Sequence, residues 1–278
     1  MELTERQREW LDGAIGEVTR CADLSWGDTP SLVWHVRDAH GRDLIVKATS
    51  AQMRHHVVRE INAHRTVTSA LAATDDAQRL VAASRELGIA VVTYLPGELA
   101  EGTPAQFDPE MHRQAGALLA RIHGQGSRPD DDYERRVTEQ SREWLARQHR
   151  IPAATVRALR QILDAYDPPT VPTVPTHGDW HPRNWLVDAG RLRAIDFGRF
   201  AWRPAQTDLV RCWFNQWSGR PDLEAAFLEG YGGDPRDETW RIECLRQGVG
   251  TAVWAHMMGD EEFESEGLDM LARVLEAI

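Results

Sequence analysis

The sequence is short of cysteine, of long apolar runs and of positive charge, and each shortage excludes a class of protein. Cys21, Cys212 and Cys244 are the three cysteines in 278 residues. Their number is odd and their spacing fits no zinc motif, so a disulfide framework is not expected and the thiols should be reduced. No apolar stretch approaches the ~20 residues that span a bilayer. The first residues, with Glu2, Thr4, Glu5 and Arg6, hold no signal-peptide core. A cytoplasmic protein without a membrane partner is expected. Lys and Arg number 32 against 43 Asp and Glu, a formal net charge of -11. That balance argues against nucleic acid, which selects basic faces, and is compatible with a cationic small molecule. There is no internal repeat. What the chain does have is length enough for one large or two modest domains, and eleven tryptophans.

Residues 3–20 space Leu3, Trp10, Leu11, Ile15 and Val18 as an amphipathic helix does. A β-meander follows: a strand at residues 31–37, a turn at Asp38-Ala39-His40-Gly41, and an apolar strand from Asp43 that ends in Lys47. A helix is expected over residues 51–72, carrying Glu60 among Val57, Ile61 and Val67. Two more strands are read at residues 79–83 and 89–95. Pro96-Gly97-Glu98 then breaks the pattern and marks a domain hinge. Beyond it the period is helical, at residues 108–124, 134–149 and 153–166. The proline-rich run 167–175 reads as a short rigid connector. Further helices are expected at 206–218, 221–230, 236–258 and 263–277. The expected domains are residues 1–95 and 96–278.

Between the halves of the helical part lies Thr176-His177-Gly178-Asp179-Trp180-His181-Pro182-Arg183-Asn184, and after it Ile195-Asp196-Phe197-Gly198. An Asp and an Asn five apart, then Asp-Phe-Gly, is what phosphoryl transfer needs: one carboxylate for the acceptor hydroxyl, an amide and a second carboxylate for magnesium. Gly178 and Pro182 keep the segment out of regular helix. Trp185-Leu186-Val187 and Leu192-Arg193-Ala194-Ile195 flank Asp188-Ala189-Gly190 as a hairpin that can return Asp196 towards Asn184. His177 and His181 are four apart, but such a pair binds metal from a helix, which this segment is not. His177 therefore reads as a structural histidine.

In these motifs the sequence resembles the aminoglycoside phosphotransferase family, the antibiotic- and choline-kinase relatives of the protein kinases. The resemblance implies an α+β, bilobal, protein-kinase-like fold, with a small antiparallel-β N-lobe holding one long helix and a mainly helical C-lobe. It implies ATP, with GTP as a substitute, and Mg2+. It makes Asp179 the catalytic carboxylate, Asn184 and Asp196 the magnesium ligands, and Lys47 the phosphate-binding lysine paired by Glu60. The base would lie near Thr93 to Leu95, and Ser31 would cover the phosphates from the loop of residues 25–31. His181 stands where protein kinases have a lysine near the transferred phosphate. Asp208 matches an aspartate that braces the catalytic loop, or caps a helix with Thr207. Arg183 reads as a loop or surface residue.

Departures from the protein kinases point to a small-molecule acceptor. Glycine follows His177 where they have arginine, no Ala-Pro-Glu follows Gly198, and the nucleotide loop has one glycine, Gly27. The acidic stretch Asp260-Glu261-Glu262-Phe263-Glu264-Ser265-Glu266 is either a solvated face or a lining that collects amines. Trp202, Trp213, Trp217, Trp180 and Trp185 are either core or faces for a cation. Glu261, Glu262, Trp202 and His181 are the candidate acceptor-binding residues. Three functions stay open: an O-phosphotransferase acting on a cationic antibiotic (an aminoglycoside, or a basic peptide such as viomycin or capreomycin), a kinase for choline, an amino alcohol or a sugar, and a silent kinase-like binding module. A monomer is expected, as is common in the family.

Overall fold

The computed structural model describes residues 2–26 and 31–276. The chain divides into two compact units. The first is Met1–Gln125, Pro175–Ala201 and Gly219–Gly233; the second is Gly126–Val174, Trp202–Ser218 and Asp234–Ile278. Among the described residues, no helix is long and apolar enough to cross a membrane.

The first unit opens with helix α1, Glu5–Ile15. Thr4 caps it, its hydroxyl accepting from the Gln7 amide while the Gln7 side chain accepts from the Thr4 amide. Gly16, at φ 78°, ends it, so Val18 begins a strand rather than closing a helix that runs to residue 20. Strands β1 (Val18–Asp23), β2 (Ser31–Asp38) and β3 (Asp43–Thr49) form the expected meander. Lys47 is interior to β3, because the strand continues through Ala48 and Thr49. Helix α2 (Arg54–Thr66) follows and stops before Val67-Thr68, a β-branched pair poorly suited to a helix interior. The expected single helix is thus two, the second being the short α3 (Ser69–Ala72). Strands β4 (Leu80–Ser84) and β5 (Ile89–Thr93) complete an antiparallel sheet of order β1-β2-β3-β5-β4.

Alternation along the strands gives this sheet two working faces. Leu32, Trp34, Val36, Leu44 and Val46 pack with Leu3 and Leu11 under α1. On the other side Ala90 packs with Val57 and Ile61 of α2. Burying each such side chain contributes roughly 1.5–3 kcal/mol.

After the turn at Pro96-Gly97, the short β6 (Glu98–Leu99) leads to α4 (Pro109–His123), capped by Asp108. The chain then builds β7 (Arg128–Asp130), α5 (Tyr133–Trp144) and α6 (Ala153–Ala165) of the second unit. The proline-rich run is not a mere connector. Val171–Thr176 is a strand, β8, because Val171 and Thr173 alternate inward while Pro172 faces out. Returning to the first unit, β9 (Trp185–Asp188) and β10 (Arg191–Ala194) form the expected hairpin around Ala189 and Gly190, both at positive φ. β6 pairs with β9, which fastens the hairpin to the segment after Pro96-Gly97. β11 (Ala201–Arg203) lies in one sheet with β8 and β7.

The stretch 206–218, expected as a regular helix, instead falls in a tight 3-10 turn at Ala205–Leu209 and a wide π turn at Cys212–Gln216, closed by Trp217 N–H to the Cys212 carbonyl at 2.9 Å. Helix α7 (Pro221–Tyr231) packs against α4 in the first unit. A Cβ on Gly116 would overlap the Phe227 carbonyl, and one on Gly230 the Arg113 carbonyl. In the second unit α8 (Trp240–Met258) and α9 (Glu261–Glu276) pack with α5 and α6 around Leu145, Leu159, Leu163, Val249, Val253 and Leu271.

Candidate active site

The first unit brings Lys47, Glu60, Asp179, Asn184 and Asp196 together from four separate stretches of chain. Lys47 Nζ donates to Glu60 Oε1 at 2.6 Å and lies 3.8 Å from Asp196 Oδ1. Burial works against the ammonium, but the Glu60 and Asp196 carboxylates outweigh it and hold its pKa above the usual lysine value. Burial also opposes ionisation of Glu60. Lys47, and next the hydrogen bond and charge of His64, nevertheless bring its pKa down to about 2. Glu60 is closed from solvent, whereas the Asp196 side chain is 54% exposed. The lysine thus has one buried partner that fixes it and one open partner beside it.

The loop of residues 177–184 is held by its backbone and by histidine. The Asn184 amide nitrogen donates to the Asp179 carbonyl at 2.7 Å and to Asp179 Oδ2 at 3.3 Å. This leaves oxygen as the polar atom Asn184 can offer a ligand. His177, fully buried between Trp180 and Phe197, donates from Nε2 to the Ile195 carbonyl at 2.9 Å. The Ile195 amide donates to the Asn184 carbonyl at 3.1 Å. These bonds join the two motifs side by side. Asp196 itself takes φ 62°, a conformation uncommon for a residue with a Cβ, and its Oδ1 accepts from the Gly198 amide at 3.2 Å. Asn184 and Asp196 offer oxygen, the donor type that magnesium takes, so the residues fit that ion. Asp179 is a carboxylate 3.7 Å from His181 Nε2 and 3.9 Å from Arg199 Nε.

The remaining expected residues divide between the units. Ser31 starts β2 opposite Thr49; residues 27–30 of its loop lie outside the described residues. Thr93 ends β5, and its amide and carbonyl are bonded to the Arg79 carbonyl and the Gln78 side chain at 2.9 and 3.0 Å. Leu95 is buried two residues on. Trp180 and Trp185 are core, fully buried against each other, and present no face to a ligand. Trp202, Glu261 and Glu262 belong to the second unit. There Arg128 stacks 4.4 Å above the Trp202 ring, Arg150 reaches Glu261 at 3.3 Å, and Glu262 is exposed.

Three residues beside the candidate site escaped the sequence, and a fourth, Arg183, was read only as a loop or surface residue. His64 stands 3.8 Å from Glu60 and bonds Thr68; its place four residues after Glu60 on a helix was the available signal. His56 donates to the Gly198 carbonyl at 3.2 Å. Arg199 was legible only as the residue after Asp-Phe-Gly. Arg183 stacks 3.7 Å over Trp26, which no spacing foretold.

Comparison with known structures defines the class. The crystal structure of aminoglycoside phosphotransferase APH(4)-Ia matches with TM-score 0.72 at 17% identity over 97% of each chain. A thermostable mutant of that protein, in ternary complex with ADP and hygromycin B, matches at 0.72 and 14% identity, over 96% of this chain and 97% of that one. Choline kinase LicA from Streptococcus pneumoniae matches at 0.65 and 14%, over 99% of this chain and 100% of that one. Macrolide 2'-phosphotransferase MphH from Brachybacterium faecium matches at 0.58 and 19%, over 92% of each. The fold is therefore that of the kinase-like phosphotransferases. No curated protein matches the sequence significantly. A family model described as a phosphotransferase enzyme family matches residues 24–242, and the chain belongs to that family, the aminoglycoside phosphotransferases. It is a small-molecule phosphotransferase.

Proposed function

We propose that this enzyme transfers the γ-phosphoryl group of ATP to a hydroxyl of a cationic small molecule, most plainly an antibiotic of the aminoglycoside or tuberactinomycin type, and so gives resistance. The observation that carries the proposal is the pairing of Lys47 with buried Glu60 beside exposed Asp196. A lysine held in that way has its charge fixed where a polyphosphate can meet it. Residues 1–95 would act as the nucleotide-binding lobe and residues 96–278 as the catalytic and acceptor-binding lobe. The base would rest against Thr93 to Leu95, with Leu95 giving the backbone contact because the Thr93 amide and carbonyl are already bonded. Ser31 would approach the phosphates from the start of β2.

Asp179 orients the acceptor hydroxyl and accepts its proton as the oxygen bonds to phosphorus and the bridging oxygen leaves with ADP. Asn184 and Asp196 would hold Mg2+, which would neutralise phosphate charge. His181 and Arg199, both within 4 Å of Asp179, keep positive or polar character around the transferred group. The net charge of -11 supports a cationic acceptor.

The match along the full length of a choline kinase supports a second reading, a kinase for choline, an amino alcohol or a sugar. Purified enzyme with Mg-ATP, assayed against aminoglycosides, macrolides, tuberactinomycins and choline, separates the two. It is paired with inhibitory concentrations in a sensitive bacterium. Protection against at least one antibiotic is expected. Turnover of choline with no protection replaces the first reading by the second, and no turnover of ATP with any acceptor defeats both.

A further inference from the structure

The sheet face that carries Lys47 has a second polar group towards its β1 edge, which phosphoryl transfer does not use. Directly opposed residues of β2 and β3 share a face, so Val33, His35 and Arg37 lie with Lys47, Ile45 and Asp43. β1 adds to this face through an irregularity. Its register slips between Arg20 and Ala22, which makes Cys21 the extra residue of a bulge, and bulges re-aim side chains. Cys21, His35 and Asp43 thereby offer a sulfur, an imidazole nitrogen and a carboxylate oxygen from three adjacent strands, all within 4.8 Å of one another. His35 Nε2 is 2.9 Å from Asp43 Oδ1, and Tyr94 stacks on the imidazole with ring centroids 4.3 Å apart, which fixes its plane. Cys21 is exposed, so the sulfur is reachable from solvent.

We propose that Cys21, His35 and Asp43 form a binding site for a divalent transition-metal ion of the zinc class. The donor set selects that class, since thiolate and imidazole suit zinc whereas magnesium and calcium take oxygen. Three protein ligands leave a fourth position for water. Zinc–ligand bonds of about 2.0–2.3 Å put ligand atoms roughly 3.5 Å apart, so the widest separation present has to close by about 1 Å. An exposed cysteine on an edge strand can supply that by side-chain rotation.

Arg37 is the competitor. Its Nη2 lies 3.0 and 3.1 Å from the two Asp43 oxygens and its Nε 3.2 Å from Oδ1. It neutralises the carboxylate when no ion is there. Its side chain is 56% exposed, so the guanidinium can move to solvent when an ion takes its place. The site exchanges one cation for another, and this sets the sign of the test: removing Arg37 tightens metal binding.

The experiment titrates cobalt(II) into the reduced full-length chain, with neither nucleotide nor acceptor present. It is therefore independent of the proposed phosphotransfer. A sulfur-to-cobalt charge-transfer band that saturates at one ion per chain and is displaced by zinc is the expected result. Cys21→Ser should abolish the band, His35→Ala should weaken binding at least tenfold, and Arg37→Ala should strengthen it several-fold. Thermal melts of Cys21→Ser and Arg37→Ala, both changes at solvent-facing side chains, check that the variants are folded. The proposal is overturned by a wild-type chain without the band, by a band that survives Cys21→Ser, by a titration that never saturates, or by weaker binding in Arg37→Ala.

Discussion

Two buried ion pairs, one in each unit, use the same chemistry for different ends. In the second unit Arg246 donates to Glu134 Oε2 and to Glu243 Oε2, each at 2.7 Å, and Tyr166 donates to Glu134 at 2.6 Å. Every member of that triad is closed from solvent, with side-chain exposures of 4%, 1% and 7% for Arg246, Glu134 and Glu243. In the first unit Lys47 and Glu60 are nearly as buried, but the third member, Asp196, is half open and 3.8 Å away. A network whose members are all closed from solvent fixes packing. A network with one member open to solvent can still take a ligand. The exposure of the third group, rather than the presence of a buried charge, separates the site from the scaffold.

The comparison can be broken in four ways. Asp179→Asn should lower turnover by about two to four orders of magnitude, the usual worth of a positioned general base, with the denaturation midpoint unchanged. Arg246→Ala should do the reverse. It strands two buried carboxylates and should cost about 3–5 kcal/mol in urea denaturation, while nucleotide affinity in whatever fraction stays folded is kept. Lys47→Ala stands between them: at least a tenfold loss of nucleotide affinity by calorimetry, with a stability loss of about 1–3 kcal/mol for the unpaired Glu60. Equal destabilisation by Lys47→Ala and Arg246→Ala would remove the distinction.

The fourth way is acid. The folded pKa of Glu60 is about 2, below its unfolded value of 4.5. A depressed carboxyl contributes stability that is full above pH 4.5 and is lost as the pH falls towards 2. Burial opposes the Arg246 charge, but Glu243 and Glu134 raise its pKa, so the guanidinium itself does not titrate in that range. Hydrogen exchange should therefore show α2 loosening in acid, with a weaker pH dependence in Glu60→Gln. Identical acid curves for Glu60→Gln and the parent would count against the Lys47 pair.

Much of the site was legible because its parts are local. The Asp179–Asn184 spacing, the hairpin and Asp-Phe-Gly lie within 20 residues, and turn residues such as Gly178 and Gly190 announce the backbone there. Helices with strong apolar periodicity, such as α4, were readable to within a residue or two. The misses have physical causes. Gly16 outranked the apolar spacing that ran on to Val18. Alternating burial made the prolines of β8 part of a strand. The turns at residues 205–216 are helical in outline but not in hydrogen bonding, which periodicity cannot distinguish.

The class of chemistry is readable along the chain, because phosphoryl transfer needs an Asp, an Asn and a second Asp in one short order, and Asp179, Asn184 and Asp196 stand in that order within one stretch. The sequence also determined the two faces of each strand, which follow from a two-residue period. Tertiary structure alone decided which charges are buried and which are open. Asp76 illustrates this: it joins Arg191 at 2.6 Å and Arg121 across long stretches of chain. So does the meeting of Cys21, His35 and Asp43, which depends on the bulge in β1 and on strand register. Contacts between residues far apart in the chain are set by the packing of whole elements, and no local pattern of residues records them.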